Sequence, residues 1–273
     1  MLSITSEKSP IPFIVPFVVY MICTSFEPEP STGQYPLFYC VKLLLTAVAI
    51  AVCFPVWKQF LKLPSFYGVL AGILGAAVWI GLCQMEKRSV SDFLPCMGLE
   101  KVFPTTRPGY DWGIETGENA GENALPGGGY YPPQKEPATD KVDLSSRIQR
   151  ISPLFYLRLL GLALIVPFIE EFFLRGFVLR YFWSAPKKEE QASAEPIPWY
   201  DVPIGALCPM VWAITIIYPL LTHPEALAGV VWFCGITLLA WKTRSLSDCI
   251  CAHAITNFAL GIWVLYSGQW YLL

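Results

Sequence analysis

Residues 159–183 read LLGLALIVPFIEEFFLRGFVLRYFW. The run is apolar and long enough to cross a bilayer core, which takes about 20 residues of α-helix. Glu170, Glu171 and Arg175 nevertheless stand at its centre, with Arg158 just before it and Arg180 near its end. Charges at the middle of a span cost several kcal/mol each on insertion scales, so they must pair, bind a proton or face a wet cavity. Glu171 and Arg175 are four apart and share a helix face, so they can neutralise each other. Glu170 points about 100° away from that face and has no local partner.

The rest of the chain supplies a setting of the same kind. Of 273 residues, 54% are hydrophobic and only 15% charged, with mean hydropathy +0.47; a soluble domain would carry about 25% charge. Apolar runs over 11–26, 37–57, 65–84, 157–183, 200–222, 224–241 and 249–266 predict an all-α transmembrane helix bundle. It has seven spans, or eight if one long run is split. The first run is a retained span, since prolines interrupt it and no small-x-small cleavage site follows. Three units are expected: N-terminal helices over 1–85, a hydrophilic loop over 86–150 and a membrane core over 151–273. The loop contains ETGENAGENALPGGGYYPPQKEPATD, which has almost nothing to bury and reads as a solvated linker. The stretch KKEEQASAEPIP forms a second polar loop.

Lysine and arginine in the short connections place the N-terminus in the cytoplasm and the C-terminus outside. A net charge of −2 with no basic cluster excludes nucleic acid as a partner. Nine cysteines are present, but they fall largely in apolar runs, without a CxxC pair, and read as packing residues.

The only two histidines are His223, in IIYPLLTHPE, and His253, in CAHAITNFAL, with Asn257 one turn further on. If these spans pack on the fourth, Glu170, His223, His253 and Asn257 form one polar cluster in an apolar surround. No serine or cysteine is placed beside a histidine as a nucleophile. A glutamate and a histidine can instead activate water, while a second histidine and an amide stabilise the oxyanion. Glu170, His223 and His253 are also a zinc ligand set, which is the metal-dependent variant of the same chemistry.

At these residues the chain resembles the CPBP (CAAX protease and bacteriocin-processing) intramembrane proteases, which include the type II CAAX prenyl endopeptidase. The family pattern is Glu-Glu-x-x-x-Arg, then aromatic-x-x-x-His, then His-x-x-x-Asn. This chain has EEFFLR at 170–175, followed by Gly176, and HAITN at 253–257. The middle motif departs from the pattern: Pro219 stands four residues before His223, and Tyr218 is the nearest aromatic. The resemblance implies an intramembrane endopeptidase acting on a membrane-anchored peptide. Glu170 would be the general base, His223 its partner on the water, Glu171 and Arg175 supporting charges, and His253 with Asn257 the oxyanion hole. The C-terminal stretch looks most like a bacterial branch associated with exosortase sorting systems. That implies a bacterial cytoplasmic membrane and a substrate other than a prenylated CAAX tail.

Two other readings remain from the residues. One is a non-catalytic peptide-binding, immunity or scaffold protein of the same fold. The other is a transporter or proton relay, for which no inverted repeat is visible. Depth sets a further condition. His223 ends the fifth run, so a hairpin reaching the outer surface would carry it about 15 Å from the bilayer centre. Pro209, Pro219 and Pro224 are expected to end that helix early, leaving His223 in a wet pocket inside the membrane.

Overall fold

The structure, a computed structural model, describes residues 6, 8–28, 33–96, 153–184, 197–223 and 225–267, with backbone only over 86–96. Among them the backbone is helical and contains no strand. The elements are α1 (Ile11–Ser25), α2 (Tyr35–Trp57) and α3 (Phe66–Cys96), a composite rod α4 over 153–184, then α5 (Pro209–Thr222), α6 (Ala226–Thr243) and α7 (Leu246–Ser267). Four helices are long and apolar enough to cross a membrane, while α1 and α5 are shorter apolar helices. Leu44, Val48, Ile73, Leu74 and Ile217 are exposed on their outer faces. Apolar helices that also present such side chains outward fit lipid rather than water. The chain is an all-α membrane protein.

Three boundaries differ from the sequence reading. The third helix runs on to Cys96 rather than stopping at Gln84, because QMEKRSVSDFL holds no helix breaker until Pro95. The remainder of the expected loop, 97–150, lies outside the described residues, as does most of KKEEQASAEPIP. The fifth helix begins at Pro209, not Tyr200. Trp199–Asp201 is a single 3₁₀ turn, and Pro203, Gly205 and Pro209 prevent a helix from forming over the residues that follow. Gly205 has φ +73°, and a Cβ there would lie 2.2 Å from the Ala240 carbonyl oxygen, so only glycine fits. Arg180, counted above as a loop charge, is buried. It donates to the carbonyls of Val202 (2.7 Å), Gly176 (3.0 Å) and Tyr200 (2.6 Å), tying the irregular segment to the end of α4.

The rod α4 is the third departure. It alternates α-helical Pro153–Leu160, π-helical Gly161–Ile165, α-helical Val166–Glu171, π-helical Phe172–Val178 and α-helical Leu179–Ser184. Pro167 has no N–H to give to the carbonyl four residues back, so the turn before it rewinds; Val166 instead bonds the Gly161 carbonyl. The second π segment is held from outside by the N-terminal helices. Trp57 stacks on Phe172 with ring centroids 4.0 Å apart, and Phe13 packs over Gly176. At the opposite end, Lys42 pairs with Glu27 at 2.7 Å beneath the rings of Tyr20 and Tyr39, and Arg158 donates to the Tyr35 hydroxyl.

Helix α7 lies along α3, and α6 packs against both α3 and α5. Gly68, Gly72 and Gly75 make the close approach of α3 to α7, as small residues do where lipid offers no hydrophobic drive to association. A Cβ on Gly72 would meet Ile255 Cβ at 2.7 Å and the Ala252 carbonyl at 2.9 Å. The Thr256 hydroxyl donates to the Gly72 carbonyl at 3.0 Å, and Asp248 accepts from the Ser65 N–H at 2.5 Å. Gly72→Ala should therefore lower stability by about 1–3 kcal/mol through overpacking. Gly81, where a Cβ meets nothing within 4 Å, should accept alanine without loss. Unfolding of both variants in detergent checks this, and equal stability of the two would contradict the packing.

Candidate active site

The six residues singled out in the sequence lie on three elements around α6. Glu170, Glu171 and Arg175 come from α4, where the short α-helical segment ends and the second π segment begins. His223 is the residue that caps α5, and His253 and Asn257 come from α7. Glu170, Glu171, Arg175 and His253 are all buried. Arg175 grips Glu171 with one nitrogen, Nη1 lying 2.8 Å from Oε1 and 2.7 Å from Oε2. Its Nη2 donates to the Phe233 carbonyl at 3.3 Å, and its guanidinium lies 5.3 Å from the Phe233 ring centroid.

His253 sits between the two glutamates. Its Nδ1 is 3.0 Å from Glu171 Oε1, and its Nε2 is 3.7 Å from Glu170 Oε2. The Trp232 ring packs edge-on against the imidazole, with centroids 4.6 Å apart. An ionised carboxylate only accepts, so the Nδ1 contact is an N–H donor. Charges paired and hydrogen-bonded in this way can persist where a lone ion could not.

Asn257, on the same face of α7, donates from Nδ2 to the Leu162 carbonyl at 2.8 Å, within the first π segment. Its amide carries a second N–H that this bond does not use.

Glu170 has His253 at Oε2 and one neighbour the sequence reading did not give it, the Tyr218 hydroxyl, which donates to Oε1 at 2.6 Å. His223 is arranged differently. Its ring packs edge-on against Phe233 (5.2 Å) and Trp79 (5.9 Å), and it lies within Coulombic reach of Glu170 and His253. Its Nδ1 is 2.8 Å from the Thr222 hydroxyl, whose single proton is donated to the Tyr218 carbonyl at 2.9 Å. With the Thr222 proton on that carbonyl, Nδ1 is the donor of the pair and Nε2 of a neutral ring is left as an acceptor.

The short fifth helix bears on the depth condition. The segment before Pro209 is tied to Arg180 and, through the Ile204 carbonyl, to Arg244, so these mark one face of the bundle. Glu170 precedes Arg180 by ten positions and Tyr218 follows Pro209 by nine, placing both about 14 Å along their helices from that face. The 14 residues of α5 reach about 21 Å, short of a core about 30 Å thick. The turn at His223 therefore lies about 21 Å from that face, less than the thickness of a bilayer core. Pro224, the residue after it, lies outside the described residues.

Residues 152–259 match the model of the family described as Type II CAAX prenyl endopeptidase Rce1-like. This segment is similar to that family, which is one of proteases; the match covers less than half of the chain and includes all six site residues. No curated protein and no solved structure matches the chain. The helices that buttress the Rce1-like segment, α1 to α3, fall outside the match.

The metal variant fits the geometry less well. Among the described residues no group of three His, Cys, Asp or Glu is placed to hold a metal ion, since His223 turns Nδ1 to Thr222 while Glu170 faces Tyr218 and His253. The eight cysteines with described side chains are free thiols. Sequence reasoning missed Tyr218, Trp232 and Trp79. Tyr218 had a signal, as the aromatic nearest the expected position before His223. Trp79 comes from α3 and had none.

The buried ion pair yields a direct test. Arg175→Met leaves Glu171 uncompensated and should cost about 3–5 kcal/mol. Adding Glu171→Gln should recover part of that loss. A double-mutant cycle on unfolding in detergent measures the coupling, and strictly additive losses would show that the pair contributes nothing as a unit.

Proposed function

We propose that the protein is an intramembrane endopeptidase in which Glu170 activates water. The observation that carries this is the placement of Glu170: buried, not held by Arg175, and facing His253 across 3.7 Å. That gap is too long for a hydrogen bond, yet a water about 2.8 Å from each atom can sit beside the pair.

In this reading Glu170 Oε2 removes a proton from the water, and the resulting hydroxide adds to the carbonyl carbon of the scissile bond. His223 Nε2, an acceptor in its present tautomer, holds the water's other proton and keeps the attack in line. The tetrahedral oxyanion is met by His253 Nε2–H and by the second N–H of Asn257. As the C–N bond breaks, the proton held on Glu170 passes to the amine nitrogen. Glu171 and Arg175 do not touch the reacting atoms; they fix His253 through Nδ1. No step is routed through a metal.

The substrate is a membrane-anchored peptide or a C-terminal sorting tail, since the site lies below the membrane surface and within reach of chain segments in lipid. A bacterial cytoplasmic membrane, a cytoplasmic N-terminus and a role beside exosortase-type sorting machinery are part of the same proposal. They rest on the charge pattern and the branch resemblance described above.

The experiment is cleavage by purified protein in detergent against a library of membrane-anchored C-terminal tails, with and without a chelator. Glu170→Gln should reduce cleavage by about 10²–10⁴-fold while leaving tail binding intact. The chelator should have no effect. Cleavage abolished by chelator would assign the activation of water to a metal. Tight tail binding with no cleavage by wild type would make the protein a non-catalytic peptide-binding member of the fold.

A further inference from the structure

Tyr218 is the residue that joins the two halves of the site. Its hydroxyl donates to Glu170 Oε1 at 2.6 Å, while its carbonyl accepts the Thr222 proton that sets the tautomer of His223. Its ring is held against Phe233 with centroids 5.3 Å apart, and the His223 ring rests on the same phenylalanine at 5.2 Å. A buried tyrosine hydroxyl needs some partner, but a purely structural tyrosine could have taken a backbone carbonyl. Here the partner is the one carboxylate of the cluster that Arg175 does not hold.

We infer that Tyr218 is a positioning residue for the base. It occupies Oε1 of Glu170 so that Oε2 alone is turned to the water and to His253. The inference rests on the endopeptidase reading above. The chemistry is conservative: the tyrosine keeps its proton throughout. Oε2 gains the water's proton and later gives it to the leaving amine, while Oε1 remains hydrogen-bonded. Without that bond the carboxyl group can rotate about its terminal torsion, which has only broad, shallow preferences. Its two oxygens would then compete for the water. Misplacement of a reacting group by about 1 Å can cost 10²-fold in rate.

The test uses the full chain in detergent with a tail that wild type cleaves. Tyr218→Phe should lower kcat by about 10- to 100-fold with KM within about twofold. It should also move the acidic limb of the kcat–pH profile upward, because a carboxylate that loses a donor is easier to protonate. A merely structural tyrosine would leave that limb in place. Fluorinated tyrosine at 218 keeps the ring and sharpens the donor, so the limb should move downward. This second variant serves if Tyr218→Phe does not fold. A Tyr218→Phe protein with wild-type kcat and pH profile overturns the inference, as does a fluorotyrosine protein whose limb does not move. If Glu170→Gln is inactive in the same assay, the endopeptidase reading survives that result. If wild type cleaves no tail, both fall together.

Discussion

The bond between Arg175 and Glu171 is the constraint on which the rest of the site depends. Both side chains are buried in a segment that packs within a membrane, where neither could remain charged alone. Pairing them within one helix makes the cost local, so that no other helix has to supply the countercharge. What remains of their hydrogen-bonding capacity then orders the neighbours: Arg175 reaches the Phe233 carbonyl on α6, and Glu171 reaches His253 on α7. Three helices are thereby registered by one ion pair. A pair used only to hold helices together would have no need of the acid beside it.

That neighbouring acid draws its meaning from the helix it sits on. The α-helical turn carrying Glu170 and Glu171 is bounded on each side by a π-helical turn. Such turns widen the helix and free backbone groups for other partners. On one side the Leu162 carbonyl accepts from Asn257, and on the other Phe172 and Gly176 receive the rings of Trp57 and Phe13 from α2 and α1. The N-terminal helices thus set the pitch of the turn that aims the two carboxylates. They do so although they carry none of the residues singled out as a site and lie outside the Rce1-like segment.

The parts of this arrangement that could be read in the sequence are those fixed by composition and by spacing along one helix. Apolar runs gave the helical bundle, and the i, i+4 spacing gave the Glu171–Arg175 pair. Sequence periodicity could not give the π turns, because a search at 3.6 residues per turn sees only a continuous helix. It also misjudged the fifth helix, since the apolar residues of 200–208 look like span while Pro203, Gly205 and Pro209 forbid one. The partner of Glu170 was hidden for a related reason. Helices from distant parts of the chain meet at a common depth only when their true starting points are known, and α5 starts nine residues later than its hydropathy suggests.

The late start of α5 is also what reconciles a histidine at a helix end with a carboxylate at a helix centre. A full-length fifth span would have carried His223 to the far surface and taken Tyr218 out of level with Glu170. A helix that begins at the face marked by Arg180 and Arg244 and stops short of the far side holds Tyr218 level with Glu170 and leaves His223 one turn beyond it. The price is backbone without a helical partner inside the membrane, tolerated only where protein or water satisfies it. At that end the His223 N–H bonds the Pro219 carbonyl, and the Thr222 hydroxyl bridges the Tyr218 carbonyl and His223 Nδ1. With its proton on the Tyr218 carbonyl, the Thr222 hydroxyl takes Nδ1 of His223 as its donor and leaves Nε2 outside that bond. The last turn of α5 thereby orients the histidine that follows it, a contact open to His223 because it stands at the helix terminus rather than within it.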